Sequence, residues 1–358
     1  MIGQLSQGGS ERQLYMFLKE CDRSLWNPVV YVSGELGYWE EPIRELRIPV
    51  VLLKGNRLAK MMQFRSACIA QSAKYFFSWS SYTNGYALAL AGCGVHCIGS
   101  FRNAAFADLP DRMRLFWTWF SVAGLTRAVC NSHETWAQLN RLRRLKERVV
   151  HVPNAVQLFT PGQIAAWREK WRRHLGLTDD QVLILGVGRI TSQKNFSRFI
   201  DVVAEVHGML PVQAVIAGRD HGTMPELQQK IDALGLHDTL RFIGTVPDAR
   251  ELMCAADIFL LTSDYEGMPN VVMEAMAVGV PCVVTKVNGV QDVIQNGVSG
   301  FICAPDAQEL ARRVLSLVQN PSLRCGIGDK AKNSIQNNHS PEQVSHRLWS
   351  LCGQEHLS

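Results

Sequence analysis

Two acids and two cations stand in this chain at spacings that suit an anion. Glu266 lies in the polar stretch TSDYEGM at 262–268, and Glu274 follows eight positions later. A helix is predicted to begin near Pro269 and Asn270, since Pro suits a first helical turn and Asn suits a cap. Both carboxylates would then point into the space before a helix N-terminus, where free N–H groups and the positive dipole end favour an anion. A phosphate held there, with an acid on either side, is what a nucleotide-sugar site needs. A solvated loop acid and a helix-surface acid would give the same pattern.

The cations come from an earlier loop. GVGRITSQKN at 186–195 carries Gly-x-Gly without a third glycine, so the dinucleotide fingerprint fails. It places Arg189 and Lys194 after an apolar run, at what would be a strand's carboxyl end. Converging on the same rim as Glu266, they can clamp a diphosphate and stabilise charge on it as it leaves. Ordinary surface cations would look alike one at a time; the combination with two acids and a helix start is rarer. No Asp-x-Asp occurs, which weakens a metal-dependent phosphate site, and neither a Gly-x-Ser-x-Gly elbow nor a His-Glu-x-x-His helix is present.

Such loops need strands and helices to hold them. Apolar runs at 29–32, 50–53, 75–79, 95–98, 128–130 and 149–152 read as short buried strands, with helix-length segments between them such as 38–46 and 58–73. The segment 160–177, rich in Trp and Arg, reads as a helical passage between domains. A second series follows, with strands at 182–187, 213–217, 240–243, 257–261, 282–285 and 301–303, and helices at 195–206, 225–234, 248–254, 271–278 and 307–318. This is the alternation of doubly wound parallel sheets, twice over. The expected division is 1–155 and 156–340, with a C-terminal helix at 341–358 packing back on the first domain. Two such sheets bind ligands at the carboxyl ends of their strands, in a central cleft.

The start is irregular. Only Met1-Ile2 precedes the loop at 3–9, which predicts a clipped or missing first strand and puts the folding of that domain in question. The paired Gly8-Gly9 before an amphipathic helix would let backbone approach a ligand, or make a plain tight turn.

Composition sets the wider bounds. A chain of 358 residues, 47% hydrophobic, suits two domains with full cores. The apolar run at 115–125 is too short to span a bilayer, and the polar N-terminus lacks the core of a signal peptide, so a cytoplasmic protein is expected. The ten cysteines are scattered in apolar contexts, as reduced buried thiols would be. Cys93, His96 and Cys97 lack a second ligand pair, and no metal is expected. Residues 1–160 carry 19 Lys and Arg against 11 Asp and Glu, whereas the remainder carry 18 against 21. The basic first half suggests an anionic partner. DRMRLFWTWF at 111–120 and RLRRLK at 141–146 together suit an anionic membrane surface, or else an aromatic core stripe beside a solvated basic end.

Across essentially its whole length the chain resembles the retaining glycosyltransferases of family 4, which have GT-B architecture, two Rossmann-like α/β domains facing a central cleft. The resemblance rests on GGSER at 8–12, GRITSQKN at 188–195, DIFLLTSDYEGMPNVVMEAMAVGVPCV at 257–283 and NGVSGFI at 296–302. It implies that Glu266 contacts the donor sugar near the reacting carbon, that Glu274 holds the ribose hydroxyls, and that Arg189 and Lys194 hold the diphosphate. It further implies that Gly8 and Gly9 close over the phosphates, while the backbone of Gly267, Met268, Pro269 and Asn270 binds sugar and phosphate oxygens. Many relatives carry a histidine at the end of the fourth or fifth strand of the first domain. Here His96 falls inside the strand, and Ser100 or Arg102 takes that place, with Arg102-Asn103 the site-facing pair on the acceptor side.

The implied reaction moves a hexose or N-acetylhexosamine, from a UDP-sugar or another nucleotide sugar, to a membrane-associated glycan or lipid-linked acceptor, with retention. The nucleotide sugar is a co-substrate; neither cofactor nor metal is implied, and no nucleic acid. The protein would sit peripherally on the inner face of the cytoplasmic membrane. A nucleotide-sugar epimerase of the same architecture would need further acid–base residues, of which no convincing set is found. A non-catalytic activator of another transferase is the third reading, and loss of Glu266 or Arg189 would have favoured it.

Overall fold

A computed structural model of the chain describes residues 1–102 and 113–353. It divides into two compact units, Met1–Ala155 together with the C-terminal stretch from Pro341, and Val156–Ser340. Asn103, Asp111 and Arg112, all singled out above, lie outside the described residues.

In the first unit, β1 (Val30–Val32) pairs parallel with β2 (Val50–Leu52), and β3 (Tyr75–Phe77), β4 (His96–Phe101), β5 (Arg127–Cys130) and β6 (Val149–His151) form a parallel sheet in that order. Met1 and Ile2 join the two sheets. Ile2 bridges Val32 in parallel, its N–H donating to the Tyr31 carbonyl, while the Met1 amino group donates to Phe77 O and Met1 O accepts from Trp79 N–H. Two residues thus fill the place of a central strand, and the irregular start does not interrupt the sheet. Their insertion puts the strands in a doubly wound order, with successive strands added outward on either side of the first. The helix Pro341–Ser350 packs here, where Trp349 stacks on Phe17 with ring centroids 4.3 Å apart.

In the second unit, β7 (Leu183–Val187), β8 (Gln213–Ala217), β9 (Leu240–Phe242), β10 (Ile258–Leu261), β11 (Cys282–Thr285) and β12 (Phe301–Cys303) form one parallel sheet in the order β12-β11-β10-β7-β8-β9. Leu183, Ile184 and Leu185 are all buried, as expected of a strand covered on both faces. The order reverses between β7 and β10, which pair directly through Ile258 with Ile184 and Phe259 with Leu185. That is the switch point at which open α/β sheets place ligands.

Two helices differ from expectation. Pro161–Leu175, read above as a passage between domains, belongs to the second unit. Its Arg168 and Arg172 grip Asp257, just before β10, at 2.8 Å and 3.1 Å. Pro321–Asn338 was not anticipated at all.

Candidate functional site

The loops after β7 and β10 emerge side by side because their strands are neighbours. The chain leaves β7 through Gly188, whose N–H donates to Ala217 O. Gly218 lies against that turn so closely that a Cβ on it would stand 1.7 Å from Gly188 O, so only glycine fits. A single 3₁₀ turn, Ser192–Lys194, then leads to Asn195 in the left-handed region at φ 46°. Asn195 caps the helix Phe196–His207 by accepting from Arg198 N–H at 3.1 Å, a residue type that tolerates both tasks.

The second loop is laced to the first. Thr262 Oγ1 donates to the carbonyls of Lys194 and Asn195 at 3.1 and 3.0 Å, and Asp264 N–H donates to Gln193 O at 2.9 Å. Arg198 holds Thr262 O at 2.7 Å and Asp264 Oδ1 at 2.8 Å. The result is a single contact: Lys194 Nζ donates to Glu266 Oε1 at 2.6 Å, with the two side chains only 13% and 10% exposed. Ser263 Oγ donates to the same oxygen at 2.7 Å, and Ser263 O is itself held by Thr285 Oγ1 at 2.6 Å. A cation and an acid so positioned can exchange partners with an incoming diphosphate and sugar.

The other residues named from the sequence are placed as follows. Arg189 is exposed and makes no side-chain hydrogen bond or ion pair among the described residues, so no bond joins it to the Lys194–Glu266 pair. Glu274 is buried in the helix Asn270–Ala277, where Val272, Met273, Ala275 and Met276 are buried around it in sequence. That helix has Pro269 at its cap position and Asn270 as its first residue, the reverse of the capping role expected of Asn270; no side chain caps it. Its leading amides therefore have no side-chain cap. Met268 is buried, and Gly267 and Met268 are backed by Gly289 at φ 79°, where a Cβ would come 2.7 Å from Gly267 O.

Gly8 is the cap residue of the helix Gly9–Lys19, and Gly9 its first residue. The space beside Gly8 is filled by the chain's own acid: a Cβ there would stand 2.3 Å from Glu11 Oε2. Burial pushes the Glu11 carboxyl above its ordinary range, opposed by hydrogen bonds from its own N–H, Gln4 and Ser6. Ser100 and Arg102 end β4 and follow it; both are buried, and Arg102 Nε donates to Ser100 Oγ at 3.1 Å. His96 opens β4 and is half-buried beside Tyr75. Ser263, Thr262, Thr285 and the Arg198–Asp264 pair were missed from sequence, because nothing in the spacing says which loops become neighbours.

The fold is that of a GT-B protein, with two Rossmann-like α/β units. Residues 167–334 match the family model for glycosyl transferases group 1. EpsF of Bacillus subtilis is 34% identical over 303 residues, covering 80% of this chain and 78% of that one. The lipopolysaccharide core biosynthesis glycosyltransferase LpsE of Rhizobium meliloti is 26% identical over 255 residues, covering 71% and 70%. Several other curated relatives are matched over about half their length, 45% in one and 47% in another. Among solved structures, Anabaena HepE in complex with UDP superposes with a TM-score of 0.84 at 20% identity, over 98% of both chains. The chain belongs to the group 1 glycosyl transferases, and the relatives it matches include a lipopolysaccharide core biosynthesis glycosyltransferase and a Vi polysaccharide biosynthesis protein.

Proposed function

We propose that this protein is a retaining, metal-independent glycosyltransferase. It moves a hexose or N-acetylhexosamine from a nucleotide diphosphate sugar, a UDP-sugar, to a membrane-associated glycan or lipid-linked acceptor during synthesis of a cell-surface polysaccharide. The observation that carries this reading is the buried Lys194–Glu266 contact at the strand-order switch point of the second unit. In the ligand-free state Lys194 neutralises Glu266. An arriving diphosphate, carrying more charge, draws the ammonium to itself and frees the carboxylate for the donor sugar.

Charge on the departing diphosphate is met by Lys194, by Arg189 swinging in from solvent, and by the amides and dipole at Asn270. The backbone of Gly267, Met268 and Pro269 supplies further contacts to sugar and phosphate oxygens, and Glu274 takes the ribose hydroxyls. Gly8 and Gly9 contact phosphate oxygens once Glu11 gives way or takes a proton. The absence of Asp-x-Asp from the sequence supports metal independence. The UDP in the HepE complex supports a uridine nucleotide.

No helix among the described residues is long and apolar enough to cross a membrane. Peripheral attachment to the inner face of the cytoplasmic membrane is supported by the helix Arg114–Val122, where Leu115 is 87% and Trp119 57% exposed, and by the basic bias of residues 1–160.

The test is to incubate the protein with a panel of nucleotide sugars and extracted lipid-linked acceptors, with and without EDTA, and to assign the product anomer by NMR. The expected result is an axial product, unaffected by EDTA, from one uridine donor. An inverted product, or turnover abolished by EDTA and restored by a divalent ion, overturns the mechanism. An isomerised donor in the absence of acceptor would point to an epimerase.

A further inference from the structure

Four consecutive strands of the first unit deliver a polar or aromatic residue to one place. Trp79 follows β3, Arg102 follows β4, Asn131 follows β5 and Asn154 follows β6. All four therefore lie at carboxyl ends of parallel strands, the side on which such sheets take ligands. The guanidinium is the centre. Its Nη1 donates to Asn154 Oδ1 at 3.1 Å, its Nε donates to Ser100 Oγ at 3.1 Å, and its Cζ lies over the Trp79 ring, 4.1 Å from the ring centroid. Asn131 Nδ2 donates to the Arg102 carbonyl at 3.0 Å and reaches Asn154 Oδ1 at 3.4 Å. Trp79 is in turn fixed by donating from its indole N–H to Ser10 O, in the first turn of the helix that follows Gly8.

Among the described residues this cluster holds no acid. Arg102 is 8% exposed, and its partners here are neutral oxygens and a ring. Among the described residues its Nη2 has no hydrogen-bond partner, nor have Asn131 Oδ1 and Asn84 Nδ2, the amide whose Oδ1 accepts from Ser100 N–H. Burial draws the guanidinium down to about 10, which leaves it charged at neutral pH. A buried charge without a counter-charge is costly, and a fold that keeps one gains from it only when an anion arrives. A planar fork with one prong already used is suited to an oxyanion.

The geometry points to an oxyanion site in the first unit, in which Arg102, steadied by Ser100, Asn154 and the Trp79 ring, binds a phosphate or carboxylate group of a substrate. This deepens the transfer reaction proposed above and rests on it only for the source of the anion, either the donor's diphosphate or a charged group on the acceptor.

The experiment is thermal unfolding of the full chain with and without inorganic phosphate, at matched ionic strength in chloride. It is run on wild type, Arg102→Gln and Asn154→Asp, each with and without saturating UDP. Phosphate is expected to raise the wild-type Tm more than that of Arg102→Gln, in which only the diphosphate site at Lys194 is left to respond. Asn154→Asp puts a carboxylate where the Asn154 oxygen already accepts from the guanidinium, so the Arg102-dependent phosphate response should vanish. A phosphate response that persists with UDP bound assigns the site to the acceptor; one that UDP abolishes assigns it to the donor. Should Arg102→Gln fail to fold, Asn154→Asp alone decides, since an unchanged phosphate response would overturn the site. Equal responses in wild type and Arg102→Gln, or none in wild type, overturn it as well. Failure of UDP to bind, with the Arg102-dependent response intact, counts against the proposed transfer reaction and not against the site.

Discussion

Lys194 and Glu266 are separated by 72 positions in sequence and by 2.6 Å in space, and each without the other would be a nearly buried lone charge. Both were legible as chemistry-bearing residues, because loops that follow apolar runs in a parallel α/β chain end up at the ligand-binding edge. Their contact was not legible, nor was the exposure of Arg189, since both depend on side-chain direction after the turn at Asn195. Glu274 shows the converse: its place in a helix was readable, but its burial follows from how that helix sits on the sheet. If it holds the ribose hydroxyls, Glu274→Ala should remove charged hydrogen bonds worth about 1.5–3 kcal/mol each, raising KM for the donor at least about tenfold while kcat changes little. Donor saturation kinetics measure this. An unchanged KM would move the ribose elsewhere.

At the scale of elements, most strands and helices matched their apolar runs to within a few residues, because buried parallel strands are written as short apolar stretches. Pro321–Asn338 escaped because Gly326 and Gly328 lower its helix propensity. Gly328 is needed for packing instead, since a Cβ there would come 2.2 Å from Gly279 O. Asn195 makes a testable case of the same tension between local preference and tertiary need. Asn195→Ala loses a cap worth ~1 kcal/mol together with the local side-chain hydrogen bonding that lets Asn tolerate the left-handed region, whereas Asn195→Gly loses only a few tenths. Denaturant unfolding should rank wild type, Gly and Ala in that order.

Glu11 gives the fold a pH dependence of its own. Its carboxyl is raised in the folded state, so the folded protein holds this proton over a range where the unfolded chain has released it. Its contribution is fully present below the ordinary Glu pKa and is lost as pH rises through the raised value. Glu11→Gln should therefore flatten the fall in stability over that window, a difference that equilibrium unfolding at a series of pH values would show. Parallel curves for the two proteins would remove Glu11 as the cause.

Across the whole molecule, two units carry separate cores, and each closes its sheet differently. The first is seeded by two residues, Met1 and Ile2, where a full strand is usual, which no apolar pattern could announce. The second is bound by charge. Asp257 takes Arg168 and Arg172 on its two oxygens and also accepts from Leu183 N–H at 2.8 Å, so one carboxylate ties a helix to the start of β7 and β10. Arg172 is buried, so Asp257→Ala would strand its charge and should cost about 3–5 kcal/mol, read as a lowered unfolding midpoint. A loss below about 1 kcal/mol would mark the network as a surface pair in energetic terms. The same scan would register this cost without any effect on the chemistry of the Glu266 loop, because that loop is held by Thr262, Asp264 and Thr285 instead.

The most direct measurement is steady-state turnover of the nucleotide-sugar donor by Lys194→Ala, with its folded state checked by thermal unfolding. If Lys194 carries the charge of the departing diphosphate, kcat should fall by about 10²–10³ while the protein stays folded. Turnover equal to that of wild type would contradict the account.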